Sequence, residues 1–104
     1  MKVIVSAQRI GWHKYPGHPT LGQLHRHLFK GWAVFAEKES REIEFFEAQA
    51  ALYQALKDLA LAPGDDSPLS CEEIGKAILR KLLCSQCIVS EDGENSVLVD
   101  RADL

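Results

Sequence analysis

The segment Leu24-His25-Arg26-His27-Leu28-Phe29 opens an apolar and aromatic run that continues to Ala36. A run of this composition predicts an extended β-strand. Because successive side chains of a strand point to opposite faces, His25 and His27 are expected on one face, with Cα atoms roughly 6–7 Å apart. Imidazole is the commonest metal ligand among side chains, so the pair indicates a candidate metal site. The alternative interpretation is two partly exposed histidines on a solvated face.

The chain on either side of this segment predicts a further strand and a helix. Lys2 to Ile10 is rich in β-branched residues and predicts the first strand, while the glycines and prolines of Gly11–Gly22 predict a loop. From Glu42 to Leu61, apolar residues recur at spacings of three and four, which predicts a helix with one buried stripe. The residues of this stripe are Phe45, Ala48, Leu52, Leu56 and Leu59, and Phe46 is also expected in the core.

The second half of the chain predicts a helix followed by a hairpin. Ala62–Leu69 contains Pro-Gly-Asp-Asp and is expected to break the chain between two helices. Ser70 and Glu73 have the spacing of a capping box, so the second helix should begin at Ser70. Its expected buried residues are Ile74, Ala77, Ile78 and Leu82, with Leu79 and Leu83 beside them. Strands at 86–90 and 96–100, joined by a turn at Asp92–Asn95, complete the chain.

The predicted order is therefore strand, strand, helix, helix, strand, strand, in a single domain of residues 1–104. Two helices can cover one face of a four-stranded antiparallel sheet, which gives an α+β fold. The sheet would keep two open edges and one uncovered face. Neighbouring copies of the chain could bury both edges by pairing with them, so we predict a homo-oligomer, with a barrel as one form that it could take.

Composition excludes several classes of function. The net charge of −3 offers no electrostatic basis for binding nucleic acid. No apolar run approaches the roughly 20 residues that a membrane-spanning helix needs. Met1–Ser6 is too short and too strand-like for a signal peptide, so a cytoplasmic location is expected. With 46% apolar and 26% charged residues, the chain is typical of a globular protein.

The three cysteines, Cys71, Cys84 and Cys87, are an odd number, which argues against a disulfide framework. Cys84 and Cys87 have the C-x-x-C spacing. Redox versions of that motif lie where a strand runs into the beginning of a helix, whereas here a helix is expected to end and a strand to begin. We therefore expect small apolar residues at the entrance to a strand rather than a redox pair.

Five short motifs carry a resemblance to a known family. Ser6–Ile10 is similar to the pattern A-A-H-R-L, and Gly22–His27 is similar to G-R-L-H-G-H. Phe45–Leu52 is similar to D-F-A-E-L-K-A-x-F, Leu69–Gly75 to P-T-A-E-N-L-A, and the hairpin of 90–97 to E-T…A-x-Y. Together with the ββααββ order, these motifs resemble the 6-pyruvoyl-tetrahydropterin synthase family over nearly the whole chain. That family includes the 6-carboxy-tetrahydropterin synthases of queuosine biosynthesis.

The resemblance implies a fold, a cofactor and a ligand. It implies the tunnelling fold, in which subunits join their sheets into a barrel, such as a hexamer, with sites at subunit interfaces. It implies zinc-dependent lyase activity, with Zn2+ bound by His25 and His27. It also implies that Glu91 anchors a pterin- or purine-like ring. A carboxylate suits that role because it can accept two parallel N–H bonds from an amino-pyrimidine edge.

The sequence departs from the family pattern at the remaining site positions. The family's third zinc ligand, the His of A-A-H, is Gln8 here, and a neutral amide is a poor zinc ligand. His13 or His18 could supply the third ligand instead. No Cys lies between Gln8 and His27, and no His follows His27. The family's catalytic Cys and Asp–His pair therefore have no counterpart, and the catalytic residues are unassigned.

Three functions are compatible with these patterns. The first is a pterin synthase-like lyase that uses zinc. The second is a non-catalytic binding or assembly module of the same fold. The third is a relative of dihydroneopterin aldolase, a family that is similar in element order, needs no metal and uses a glutamate near its second helix, where Glu72 and Glu73 stand. The third leaves the His25–His27 pair unexplained.

Overall fold

A computed structural model describes residues 1–59 and 69–104, in which a four-stranded antiparallel sheet is combined with two helices. The elements are β1 (Lys2–His13), β2 (His25–Ala36), α1 (Phe45–Leu59), α2 (Cys71–Lys81), β3 (Gln86–Glu91), β4 (Asn95–Asp100) and a final 3-10 turn (Arg101–Asp103). The predicted α+β class and ββααββ order are confirmed. Residues 60–68 lie outside the described residues, and with them most of the predicted break and the last two positions of the predicted first helix.

The strands lie side by side in chain order, β1-β2-β3-β4. Directly paired residues share a face of the sheet, and the pairs Val5–Ala33 and Ala33–Cys87 place three buried side chains on the same face. The same register carries odd-numbered positions of all four strands to that face, where both helices pack. The core cluster there comprises Val3, Val5, Phe29, Ala33, Phe35, Cys87, Val89 and Val99 of the sheet with the buried residues of the helices.

The buried stripe of helix α1 begins later along the helix than the sequence predicts, and Leu59 at its end is partly buried against the core. Its buried residues are Ala48, Leu52, Ala55 and Leu56. Phe45 and Phe46 are 63% and 78% exposed, so their predicted place in the core was wrong. The stripe begins at Ala48, about one turn after the helix starts, and Phe46 lies roughly 200° around the axis from it.

Helix α2 begins where the sequence predicts. The Ser70 hydroxyl accepts a hydrogen bond from the Glu73 backbone N–H at 3.2 Å, as an N-cap does. Its buried residues are Cys71, Ile74, Gly75, Ile78 and Leu79. The expectation that Leu83 joins them was wrong, because the helix ends at Lys81, Leu82 adopts an extended conformation, and Leu83 is fully exposed. Cys84 and Cys87 are buried, as expected for apolar residues at the entrance to β3.

Strand β1 is longer than predicted and runs through Gly11 to His13, where a loop was expected. Ladder pairing with β2 continues there, so Gly11 lies opposite His27 and His13 lies opposite His25. The glycine does not end the strand because β2 supplies hydrogen-bond partners beyond it. This extension places a third histidine beside the His25–His27 pair.

The face of the sheet opposite helices α1 and α2 carries several exposed apolar side chains, which are Ile4, Ile10, Leu28 and Leu98. Strands β1 and β4 form the two edges of the sheet. Across residues 1–59 and 69–104, neither helix combines the length and the apolar character that a bilayer span requires.

Candidate metal centre

Three histidines meet at one end of the sheet, on the face that carries the helices. His13 lies directly opposite His25, and His27 lies two residues further along β2 on the same face. One ring nitrogen of each histidine lies within 4.8 Å of the corresponding nitrogens of the other two. His13 is buried, whereas His25 and His27 are partly exposed. We refer to these three residues as the histidine cluster.

Each ring of the histidine cluster is hydrogen-bonded outward through its Nδ1 atom. Carbonyl and carboxylate oxygens can only accept, so the proton of each neutral ring must lie on Nδ1. Each Nε2 atom is then left with a lone pair. The Nδ1 acceptors are the Leu69 carbonyl for His13 (2.8 Å), the Gln23 carbonyl for His25 (2.8 Å) and the Asp92 carboxylate for His27 (2.7 Å).

Within residues 1–59 and 69–104, the buried Nε2 atom of His13 has no hydrogen-bond partner. Glu91 Oε1 lies 3.2 Å away, and an ionised carboxylate can pair with this nitrogen only when Nε2 also carries a proton. A buried polar atom is nearly always paired, so an unpaired one requires an explanation. A cation bound by this nitrogen would satisfy it, and neutral imidazole nitrogens are zinc ligands.

Asp92 orients His27 from the turn between β3 and β4. Its carboxylate also accepts a hydrogen bond from the Leu28 backbone N–H at 2.8 Å. The hydrogen bond from His27, followed by the one from Leu28, holds the pKa of Asp92 below its usual value. Metal-binding histidines commonly donate their second ring N–H to a carboxylate in this way.

A cleft of about 650 Å³ opens beside the histidine cluster. Its size lies within the roughly 300–1,000 Å³ that is typical of small-molecule sites. It is bordered by all three histidines, by the chain after β1, by the start of α2 and by the start of β4. The residues besides the histidines are Lys14, Tyr15, Pro16, Leu21, Ser70, Cys71, Glu72, Glu73, Glu91, Asn95, Ser96 and Val97.

Glu91 joins the cleft to the histidine cluster. Its two carboxylate oxygens lie 3.2 Å from His13 Nε2 and 3.6 Å from His27 Nε2. The Cys71 thiol donates a long hydrogen bond to Glu91 Oε1 at 3.6 Å. Burial, and then the charge of Glu91, raise the pKa of Cys71 to about 12, so its thiol is protonated at neutral pH.

The other two candidate third ligands lie elsewhere. The Nδ1 atom of His18 accepts backbone hydrogen bonds from Thr20 and Leu21, at 3.1 and 2.9 Å, and so organises its own loop. Gln8 pairs with Lys30 in the sheet and borders a different cleft. Among the described residues, His13 is therefore the candidate that joins His25 and His27.

No protein-family model matches the sequence, and no curated protein is significantly similar to it. The function must therefore be inferred from the site itself. Sequence reasoning missed Asp92 as part of that site, because Asp92-Gly93 is also ordinary turn chemistry. The signal that could have found it is the position of a carboxylate directly after Glu91.

Proposed function

We propose that this protein binds a zinc ion through His13, His25 and His27 and holds a pterin- or purine-like ring in the adjoining cleft, as a divergent 6-pyruvoyl-tetrahydropterin synthase-like protein. One observation carries the proposal. One ring nitrogen of each of the three histidines lies within 4.8 Å of those of the other two, while each Nδ1 is held by an acceptor outside the cluster. Histidines that bind metals have this outer shell, and three-histidine zinc sites keep one position for water or substrate.

The origin of the three ligands supports the resemblance. The family takes its third zinc ligand from the first strand, and His13 is the last residue of β1. It lies five residues after Gln8, the position that the motif alignment assigns to this ligand. The ligand set thus agrees in kind, with one histidine from β1 and two from β2, once His13 takes the place of Gln8.

The cleft suits a flat heteroaromatic ring with polar edges. Glu91 supplies a carboxylate that could accept two N–H bonds from an amino-pyrimidine edge. The Tyr15 side chain and the polar residues Asn95 and Ser96 also border the space. Bound zinc would act there as a Lewis acid toward a carbonyl or hydroxyl group of the ligand.

Binding without turnover is the second candidate function. Cys71 is the thiol at this cleft, and its raised pKa keeps it from acting as a thiolate base at neutral pH. The histidines present in the cleft are those assigned to the metal. Proton abstraction by a thiolate or by an Asp-supported histidine, in the manner of the family, is therefore not supported by these residues.

Metal content tests the first part of the proposal. We expect purified protein, equilibrated with zinc and dialysed, to retain one zinc per chain by elemental analysis. The His25→Ala, His27→Ala double variant should retain none, and His13→Ala should bind much more weakly. His18→Ala is the matched control, because it removes a histidine that lies outside the cluster. Wild-type protein that folds normally by circular dichroism but holds no zinc would contradict the proposal.

Calorimetry tests the ring and separates the two candidates. We expect pterin or guanine derivatives to bind zinc-loaded wild-type protein and to bind Glu91→Gln at least tenfold more weakly, because an amide cannot accept both N–H bonds. Ring binding together with conversion of a pterin precursor would support the enzyme, whereas ring binding alone would support the non-catalytic module. Absence of binding by any such ring would contradict this part of the proposal.

A further inference from the structure

The carboxylate of Glu91 faces the Nε2 atoms of two histidine rings. Glu91 is the last residue of β3 and pairs with Phe29, the strand neighbour of His27 on the same face. Its Oε1 lies 3.2 Å from His13 Nε2, and its Oε2 lies 3.6 Å from His27 Nε2. Hydrogen bonds hold a proton at the Nδ1 atom of both rings, so each contact with Glu91 needs a positive charge, either an added proton on Nε2 or a metal ion. Acceptor facing acceptor at these distances is favourable only with positive charge between the atoms.

The two distances match those between ligands of one metal ion. Zinc binds imidazole nitrogen at about 2.0–2.1 Å and carboxylate oxygen at about 2.0–2.2 Å, so neighbouring ligand atoms of a tetrahedral site are about 3.3–3.5 Å apart. The observed 3.2 and 3.6 Å lie on either side of that range. Oε1 has such a distance to His13 and Oε2 to His27, so the Glu91 carboxylate group stands where a fourth ligand would stand relative to two of the three histidines.

We propose that Glu91 is the fourth protein ligand of the metal, which closes the coordination shell while the cleft holds no ring. This inference rests on the proposed zinc site and extends the role of Glu91 beyond that of a ring anchor. A closed four-ligand shell is typical of structural zinc, whereas catalytic zinc keeps an open position. A ring that engages Glu91 would draw it from the metal and open that position.

Cobalt(II) is the probe for this proposal, because its visible spectrum reports the coordination of the ion that it replaces. We expect cobalt-loaded wild-type protein to give an intense four-coordinate spectrum that azide does not change. Glu91→Gln should bind zinc at least tenfold more weakly in competition with a chromophoric chelator, and azide should change its cobalt spectrum. Glu91→Asp, which keeps the charge on a shorter side chain, should bind zinc with intermediate affinity.

Glu72→Gln is the matched control, because it removes the same charge from the same cleft by way of an exposed residue of α2. Its zinc affinity and azide response should equal those of wild-type protein. Equal zinc affinity in wild-type protein and Glu91→Gln, with azide changing both spectra, would overturn this inference and leave the three-histidine site intact. Equal weakening by Glu72→Gln and Glu91→Gln would also overturn it, since the effect would then be general electrostatics. Wild-type protein that binds neither metal would instead contradict the proposed function.

Discussion

Asp92 connects a turn to two consecutive residues of β2. Its carboxylate accepts hydrogen bonds from the His27 ring and from the Leu28 backbone. Its backbone φ of 55° lies in the left-handed region, where Asp and Asn are among the few non-glycine residues that occur readily. The sequence indicates the turn, but the contact with His27 depends on the pairing of β2 with β3 and spans 65 positions of the chain.

Asp92→Asn tests this orienting role at the level of one residue. Asn tolerates the left-handed backbone, so the turn should persist, but a neutral amide accepts the His27 proton less strongly. We expect zinc affinity to fall about 10- to 100-fold, as is usual when an outer-shell partner of a ligand is lost. Competition with a chelator measures the change. Glu94→Gln, which removes a charge from the same exposed turn, should leave the affinity unchanged, and an equal loss in both variants would contradict the role.

At the level of elements, the sequence predicted what short-range patterns determine. The β-branched run of β1, the spacing of Leu52 and Leu56, and the Ser70 cap each depend on nearby residues, and all three are confirmed. The end of β1 was missed because Gly11 resembles a loop residue until β2 is present to pair with it. For the same reason, the sequence left His13 and His18 open as the third ligand, since register across strands is a tertiary property.

Helix α2 packs closely on β4 through Gly75. A Cβ atom at this position would lie 2.8 Å from Val99 Cγ2, and Val99 is itself buried and β-branched. Gly75→Ala should gain about 1 kcal/mol of helix propensity and lose more to overpacking. We expect the free energy of unfolding in urea to fall by about 1–2 kcal/mol.

Two further variants show whether overpacking is the cause. Gly31→Ala is the comparison, because its added Cβ would meet Leu52 and Leu56 at an ordinary 3.5 Å, so we expect a much smaller loss. Adding Val99→Ala to Gly75→Ala should recover part of the loss relative to the sum of the single effects. Strict additivity of the two substitutions would show that this contact is not responsible.

At the level of the whole molecule, no element of the described residues covers the second face of the sheet. Ile10 and Leu28 are paired neighbours on that face, Ile4 lies on the edge strand β1 with Ile10, and Leu98 lies on the opposite edge strand β4. Apolar side chains grouped on an open face, together with open edge strands, are typical of surfaces that associate. We therefore retain the prediction of a homo-oligomer, in which copies of the chain cover this face and pair along β1 and β4.

Light scattering coupled to gel filtration tests the assembly. We expect wild-type protein to have at least twice the mass of the 11.6 kDa chain, and the Ile4→Lys, Leu98→Lys double variant to shift toward the monomer. Leu83→Lys places the same charge on an exposed leucine outside the sheet and should keep the wild-type mass. A monomeric wild-type protein at micromolar concentration would exclude this assembly.

The acceptors of the histidine cluster come from distant parts of the chain, since the Leu69 carbonyl and the Asp92 carboxylate lie 56 and 65 positions away from the rings that they hold. An unfolded chain cannot reproduce that arrangement, so a zinc ion bound there would bind the native state almost alone. Because it binds the native state and not the unfolded chain, the ion stabilises the fold. Free zinc at a hundred times its dissociation constant adds about 2.7 kcal/mol to the free energy of unfolding. For a domain of this size, the concentration of free zinc would therefore help to determine the fraction of the protein that is folded.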